Sequence, residues 1–181
     1  MRSLFGNLHT PSTFSALSGQ PPGREARGSG PLWFVLCLLA GGLQAASLAW
    51  PWPAWVPPGL SAGQPSGALQ IASLAVLAWA LRHVHRVGQA AWRGWVFALA
   101  WLAGSFWWLF VSLHTYGGLP AWLAVLAVLA LAGALALYYA LAAGLLALWA
   151  PRSRVQQGLL FAALWTLAAL LRGRWFTGFP W

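Results

Sequence analysis

Apolar residues fall in five blocks, at about 31–50, 67–81, 94–113, 119–150 and 158–176, separated by short polar or turn-forming stretches. Blocks of this length and apolarity are the pattern of membrane helices. The pattern predicts an all-α fold, a polytopic membrane helical bundle of about five transmembrane helices. The fourth block is longer than a hydrocarbon core of about 30 Å requires, so it should tilt or protrude. The fifth is short if it stops at Leu171, a length that also suits a buried or re-entrant helix. It reaches spanning length through Phe176 if its arginines snorkel. Residues 1–30 carry Arg2, Arg24 and Arg27 among Pro and Gly and read as a disordered basic cytoplasmic tail. That leaves 31–181 as one transmembrane helical domain. The run 31–40 could serve as a signal-peptide core. However, Leu43-Gln44-Ala45 is a poor small-x-small cleavage site and the apolar run continues to Trp50, so a retained helix is preferred.

The connections supply an orientation. Residues 51–66 are rich in Pro, Gly and Trp and carry no charge. Arg82, His83, His85, Arg86 and Arg93 lie between the second and third blocks. His114-Thr115-Tyr116-Gly117-Gly118 follows the third block without an arginine, and Arg152 and Arg154 follow the fourth. Basic connections therefore alternate with neutral ones. The positive-inside rule places the tail and both basic connections in the cytoplasm and the C-terminal end outside. Arg172 and Arg174 break the rule at the predicted outer face. Such charges either carry function or anchor to lipid phosphates, and the residues alone do not choose.

Composition narrows the class. Of the 181 residues, 60% are apolar and 6% are charged, against about 25% charged in a soluble domain. The net charge of +9 comes from arginines set singly or in pairs between apolar blocks. They are not clustered with stacking aromatics on a polar segment, so a nucleic-acid role is not favoured. Ala132, Ala136, Ala140 and Gly144 form a small-residue stripe that would let a second helix approach closely. Tyr138 and Tyr139 lie on the same helix, and at least one hydroxyl needs a partner away from lipid. The tryptophans gather at block ends as interfacial belts.

Little here suggests chemistry. His83 and His85 are two apart and diverge on a helix, with no acid or cysteine nearby, so no metal site is expected. His114 reads as an interfacial residue, since nothing supplies an orienting carboxylate for a general base. Cys37, the single cysteine, has no cationic partner in its own helix and lies among apolar residues, which marks it as structural. There is no Asp, and the one acid, Glu25, lies in the tail. The chain offers no credible nucleophile and base pair.

Two stretches resemble a known family. Phe106-Trp107-Trp108-Leu109-Phe110-Val111-Ser112-Leu113-His114-Thr115-Tyr116-Gly117-Gly118-Leu119-Pro120 is similar to the W-x-x-V-S-x-x-x-F/Y-G-G-x-P run of apolipoprotein N-acyltransferases. Leu171-Arg172-Gly173-Arg174-Trp175-Phe176-Thr177-Gly178-Phe179-Pro180-Trp181 is similar to that family's L-R-G-x-x-x-T-G-F-P-W motif. Ala49-Trp50-Pro51-Trp52 resembles its short Pro-aromatic turn. The resemblance runs from about Leu32 to Trp181 and departs at Ala169, where the family usually has a Glu able to pair with the motif arginine.

The resemblance implies a bacterial inner-membrane enzyme, multi-pass with its N-terminus cytoplasmic. Such an enzyme transfers an acyl chain from a phospholipid donor to the N-terminal cysteine amine of a lipoprotein substrate. It implies eight membrane helices and a nitrilase-like domain with a Glu-Lys-Cys triad, in a region these residues do not include. This chain is thus expected to be the N-terminal membrane scaffold, interrupted at Trp181, inactive alone and without catalytic residues or a cofactor. The residues the resemblance marks for lipid contact are Arg172, Phe179, Trp181, His114 and Tyr116, with Arg172 on the donor phosphate. The alternatives are a structural membrane module, which would lack the two motif runs, and a transporter subunit. The few polar residues within the helices, mainly Ser73, Ser105 and Thr166, argue against a pore.

Overall fold

A computed structural model describes residues 30–48, 64–84, 86–149, 151 and 153–175. The basic tail through residue 29, the Pro-aromatic turn at 49–52, and Phe179 and Trp181 lie outside the described residues. The fold is all-α, as the apolar pattern predicts, with no strand among the described residues. Helix α1 runs Gly30–Ala46, α2 Gly67–Arg82, α3 Val87–Ser105, α4 Trp107–Val111, α5 Ala121–Trp149 and α6 Arg154–Trp175. A π-helical turn, Ser112–Tyr116, extends α4. Helices α5 and α6 are long and apolar enough to cross a membrane, and α3 with α4 makes a third if the bent pair is one span. Helices α1 and α2 are shorter apolar helices of 17 and 16 residues.

Helix α3 is the axis of the bundle, with α1 on one flank and α5 on the other. Helix α2 packs on α1, and α6 on α5. The close approaches are made by small residues. A Cβ at Gly41 would collide with the Phe97 carbonyl oxygen, which brings α1 against α3. A Cβ at Gly94 would lie 2.6 Å from the Ala143 Cβ and 2.9 Å from the Tyr139 carbonyl oxygen, which brings α3 against α5. The stripe Ala132, Ala136, Ala140 and Gly144 is buried in this second seam, as close packing of membrane helices requires.

These contacts also fix the direction of each helix. Gly41 meets Phe97 and Ala100, and Ala45 meets Gly104, so α1 and α3 run parallel. Ser73 in α2 donates across to the Gln44 side-chain oxygen in α1, with both residues buried. Nearer the other end of this pair, Trp79 packs on Trp33 at 5.1 Å, so α2 is antiparallel to α1. Gly144 faces Val87 and Ala91, while Gly133 faces Trp95 and Leu99, so α5 is antiparallel to α3. The short connection returns α6 antiparallel to α5. Arg82, Arg86, Arg93 and Arg154 thus share one end of the bundle, and Arg172 and Arg174 lie toward the other. Trp79, Trp92 and Trp149 are exposed near the arginine-rich end, and Trp107, Trp108 and Trp122 near the opposite end, which is the arrangement of two interfacial belts.

The third helix differs from the reading of 94–113. It begins at Val87 and so takes Arg93 into a helix interior. The charge is accommodated because an Arg93 Nη donates to the Ala80 carbonyl at 2.6 Å and the guanidinium lies 4.2 Å from the Trp33 ring centroid. The helix then breaks at Phe106 and continues as α4 at an angle of 52°. Ser105 donates back to the Trp101 carbonyl at 2.9 Å just before the break, a bond that bends helices. Cys37 is buried as expected, but Arg93 of α3 lines the same cavity, so a cation is close by from another helix.

Candidate functional site

The first motif run builds a turn at the far end of α3. Trp107–Val111 forms one short helix, and the backbone then widens so that the Gly117 N–H donates to the Ser112 carbonyl at 2.9 Å, a π-type bond. Such turns are rare and recur at functional sites. Both glycines of the run are needed for its shape. A Cβ on Gly117 would lie 2.7 Å from the Leu113 carbonyl oxygen, and Gly118 has φ +68°, which side chains other than glycine rarely adopt. Pro120 opens α5, its carbonyl accepting from Leu123 and Ala124.

His114 closes this turn. Its Nδ1 donates to the Leu119 carbonyl at 2.8 Å, and its ring stacks on Phe110 at 5.5 Å. The proton must sit on Nδ1, because a carbonyl oxygen only accepts. His114 is exposed and acts here as a clasp between the two ends of the turn. Tyr116 is 84% exposed.

The second motif run places its arginines differently. Arg174 is exposed, whereas Arg172, two residues earlier, is 6% exposed. The Arg172 guanidinium lies 5.7 Å from the Trp101 ring centroid, within the reach of a cation–π attraction. Trp101 meets Tyr139 edge-on at 5.3 Å and stacks with Trp165 at 6.4 Å. Tyr139 and Trp165 are 4.6 Å apart, and Phe97 and Phe161 complete the cluster around Trp165. One arginine is therefore drawn into an aromatic nest built by α3, α5 and α6, while its neighbour stays outside. Ala169 cannot pair with Arg172 as a glutamate would, and the Trp101 ring supplies a contact for the cation instead.

The nest holds polar atoms that are not satisfied by the described residues. Tyr139 is fully buried, and neither its hydroxyl nor the Trp101 indole nitrogen has a hydrogen-bond partner among the described residues. A buried polar group without a partner costs about 1–3 kcal/mol, so each such group in a folded protein calls for a reason. The expectation that a Tyr138 or Tyr139 hydroxyl finds a partner away from lipid is not met at Tyr139, which is buried but has no hydrogen-bond partner among the described residues. Sequence reading did not single out Trp101, Trp165 or Phe97. They lie on separate blocks, and no spacing rule within one helix links them.

Of the five residues marked for lipid contact, the structure places three. Arg172 lies in the nest beside α3, His114 and Tyr116 lie on the turn beyond the bend, and Phe179 and Trp181 fall outside the described residues. No group of three or more His, Cys, Asp or Glu side chains comes together among the described residues. The buried serines are engaged rather than pore-lining: Ser73 bonds to Gln44 and Ser47 to the Gln44 carbonyl.

Comparison with known proteins gives a consistent result. Residues 61–181 match the family model described as the apolipoprotein N-acyltransferase N-terminal domain. The chain is 53% identical over 148 residues to the apolipoprotein N-acyltransferase of Verminephrobacter eiseniae, covering 80% of this chain and 26% of that protein. It is 46% identical over 119 residues to that of Ralstonia nicotianae, covering 62% of this chain and 22% of the relative. A putative apolipoprotein N-acyltransferase of Bordetella parapertussis is 37% identical over 169 residues, covering 85% of this chain and 29% of the relative. The chain spans about a quarter of the length of these curated relatives.

Proposed function

Because the chain belongs to the apolipoprotein N-acyltransferase family and carries its N-terminal domain, we propose that its helices are the membrane scaffold of such an enzyme. The reaction is acyl transfer from a phospholipid to the N-terminal cysteine amine of a lipoprotein. The 181 residues hold one cysteine and one acid, so the nucleophile and base would come from sequence outside them, and these residues alone would be inactive. The scaffold sits in the bacterial inner membrane with its N-terminus in the cytoplasm. The gathering of Arg82, Arg86, Arg93 and Arg154 at one end supports that orientation. It puts the bend, the glycine turn and the aromatic nest toward the periplasmic side, where the helices shape an opening for the donor lipid. His114, Tyr116, Phe179 and Trp181 belong to that opening.

One observation carries the role given to Arg172: its burial against Trp101, beside an exposed Arg174. A simple interfacial anchor reaches outward to bulk lipid phosphates, as Arg174 can. A buried guanidinium facing an aromatic ring is oriented, and its planar fork takes two phosphate oxygens where an ammonium meets them as a point charge. The test uses a full-length relative with Arg→Lys changes at the positions of Arg172 and Arg174, following acyl-enzyme formation against phospholipid concentration. Loss of one charge-assisted bond worth about 1.5–3 kcal/mol should slow donor use roughly tenfold to a hundredfold at the first position, with little change at the second. Equal, small effects at both positions would reduce Arg172 to an anchor.

A further inference from the structure

At the opposite end of the bundle a cavity of about 430 Å³ opens between the first halves of α1 and α3. Trp33, Phe34, Cys37, Gln89, Trp92 and Arg93 line it. From Trp101 to Arg93 is eight residues along α3, roughly 12 Å at about 1.5 Å per residue, and the two side chains lie on different seams of the bundle. The cavity is therefore separate from the aromatic nest.

The cavity is electropositive. Arg93 is half-buried, and its hydrogen bond to the Ala80 carbonyl uses one of five N–H donors. No carboxylate among the described residues meets its charge, because the chain's only acid is Glu25. Arg86 precedes α3 and Arg82 ends α2, both exposed at the same end. The first turns of α1 and α3 border the cavity without an acidic residue, and no side chain caps α3, so their partial positive charge adds to that of the guanidinium. A guanidinium this deep in a membrane bundle calls for a counter-charge.

The walls indicate which anion. Phe34 is 44% and Trp92 54% exposed, and both carry the cavity lining out to the surface that faces lipid. A small free anion gains nothing from those rings, whereas the glycerol and upper acyl chains of a phospholipid would pack on them. Gly30 and Gly88 leave open space where a Cβ would stand, so headgroup atoms can approach the backbone. We propose that this cavity binds the headgroup of an anionic phospholipid, with Arg93 on its phosphate. Under the orientation proposed above, the lipid comes from the cytoplasmic leaflet, where basic pockets between helices recognise acidic headgroups. The site is then a structural lipid site distinct from acyl-donor binding at the other face.

The experiment titrates the 181-residue chain in neutral detergent with phosphatidylglycerol, phosphatidylcholine and inorganic phosphate, counting bound lipid by native mass spectrometry. Phosphatidylglycerol should bind about tenfold more tightly than phosphatidylcholine, the effect of one or two basic contacts. Inorganic phosphate at matched concentration should not displace it. Gly88→Trp, which fills the cavity from a position with open space, should bring the two lipids to parity while circular dichroism keeps its helical signal. Arg93→Gln, which removes the charge while keeping much of the side chain's length, should lose most of the preference. Equal binding of the two lipids by the parent, an unchanged preference in Gly88→Trp, or displacement by phosphate would each overturn the proposal. Binding in detergent does not depend on orientation, so a reversed topology would move the site to the other leaflet without abolishing the preference.

Discussion

At the scale of single residues, the decisive contrast is between two arginines two positions apart. Burial separates them, and the buried one has its guanidinium facing the Trp101 ring. Tyr139 is the other residue whose setting has consequences. Its hydroxyl is buried with no partner among the described residues, so within these residues it is a cost. Tyr139→Phe should therefore leave the 181-residue chain as stable or raise stability by about 1 kcal/mol, measured by unfolding in detergent. A loss of similar size would reveal a hydrogen bond that these residues do not display. The motif runs made Arg172 legible in the sequence. Its surroundings were not, because Phe97, Trp101, Tyr139 and Trp165 meet across three helices and each alone reads as an ordinary apolar position. His114 was legible only as a residue at the end of an apolar block. Its role as a clasp on Leu119 depends on a π turn that no periodicity announces.

At the scale of helices, the seam between α3 and α5 is the most extensive, ahead of the one between α1 and α3. The small-residue stripe of α5 was visible as a four-residue period. Its partner Gly94 was not, since a glycine at the start of an apolar block looks like a boundary. The same ambiguity hid the true start of α3, because Arg93 appears to end a polar connection until Trp33 and the Ala80 carbonyl are brought to it. Gly94→Leu should destabilise the bundle by about 1–3 kcal/mol through overpacking against Ala143 and Tyr139. Gly158→Ala serves as its control. A Cβ at Gly158 meets nothing within 4 Å, and removing a helical glycine should add about 0.5–1 kcal/mol. Thermal unfolding of both variants in one detergent checks the pair, and a neutral Gly94→Leu would show that the seam is loose.

At the scale of the whole molecule, the all-α class and the alternation of basic and neutral connections were both legible, because each rests on composition summed over many residues. The bend at Phe106 was not, since it turns on one serine hydroxyl and one off-helix residue. The orientation can be read directly. Alkaline phosphatase fused after Trp181 should be active, and fused after Arg154 inactive; the opposite pattern would reverse the bundle and remove the periplasmic reading of the nest. The scarcity of acids has a further outcome. Acid unfolds most proteins by protonating carboxylates that are paired in the native state. The described helices contain no carboxylate side chain, and their cohesion comes from methyl groups, rings and backbone carbonyls. Acidification therefore finds almost nothing in this bundle to discharge, and a bath that would denature a salt-bridged protein should leave these helices packed.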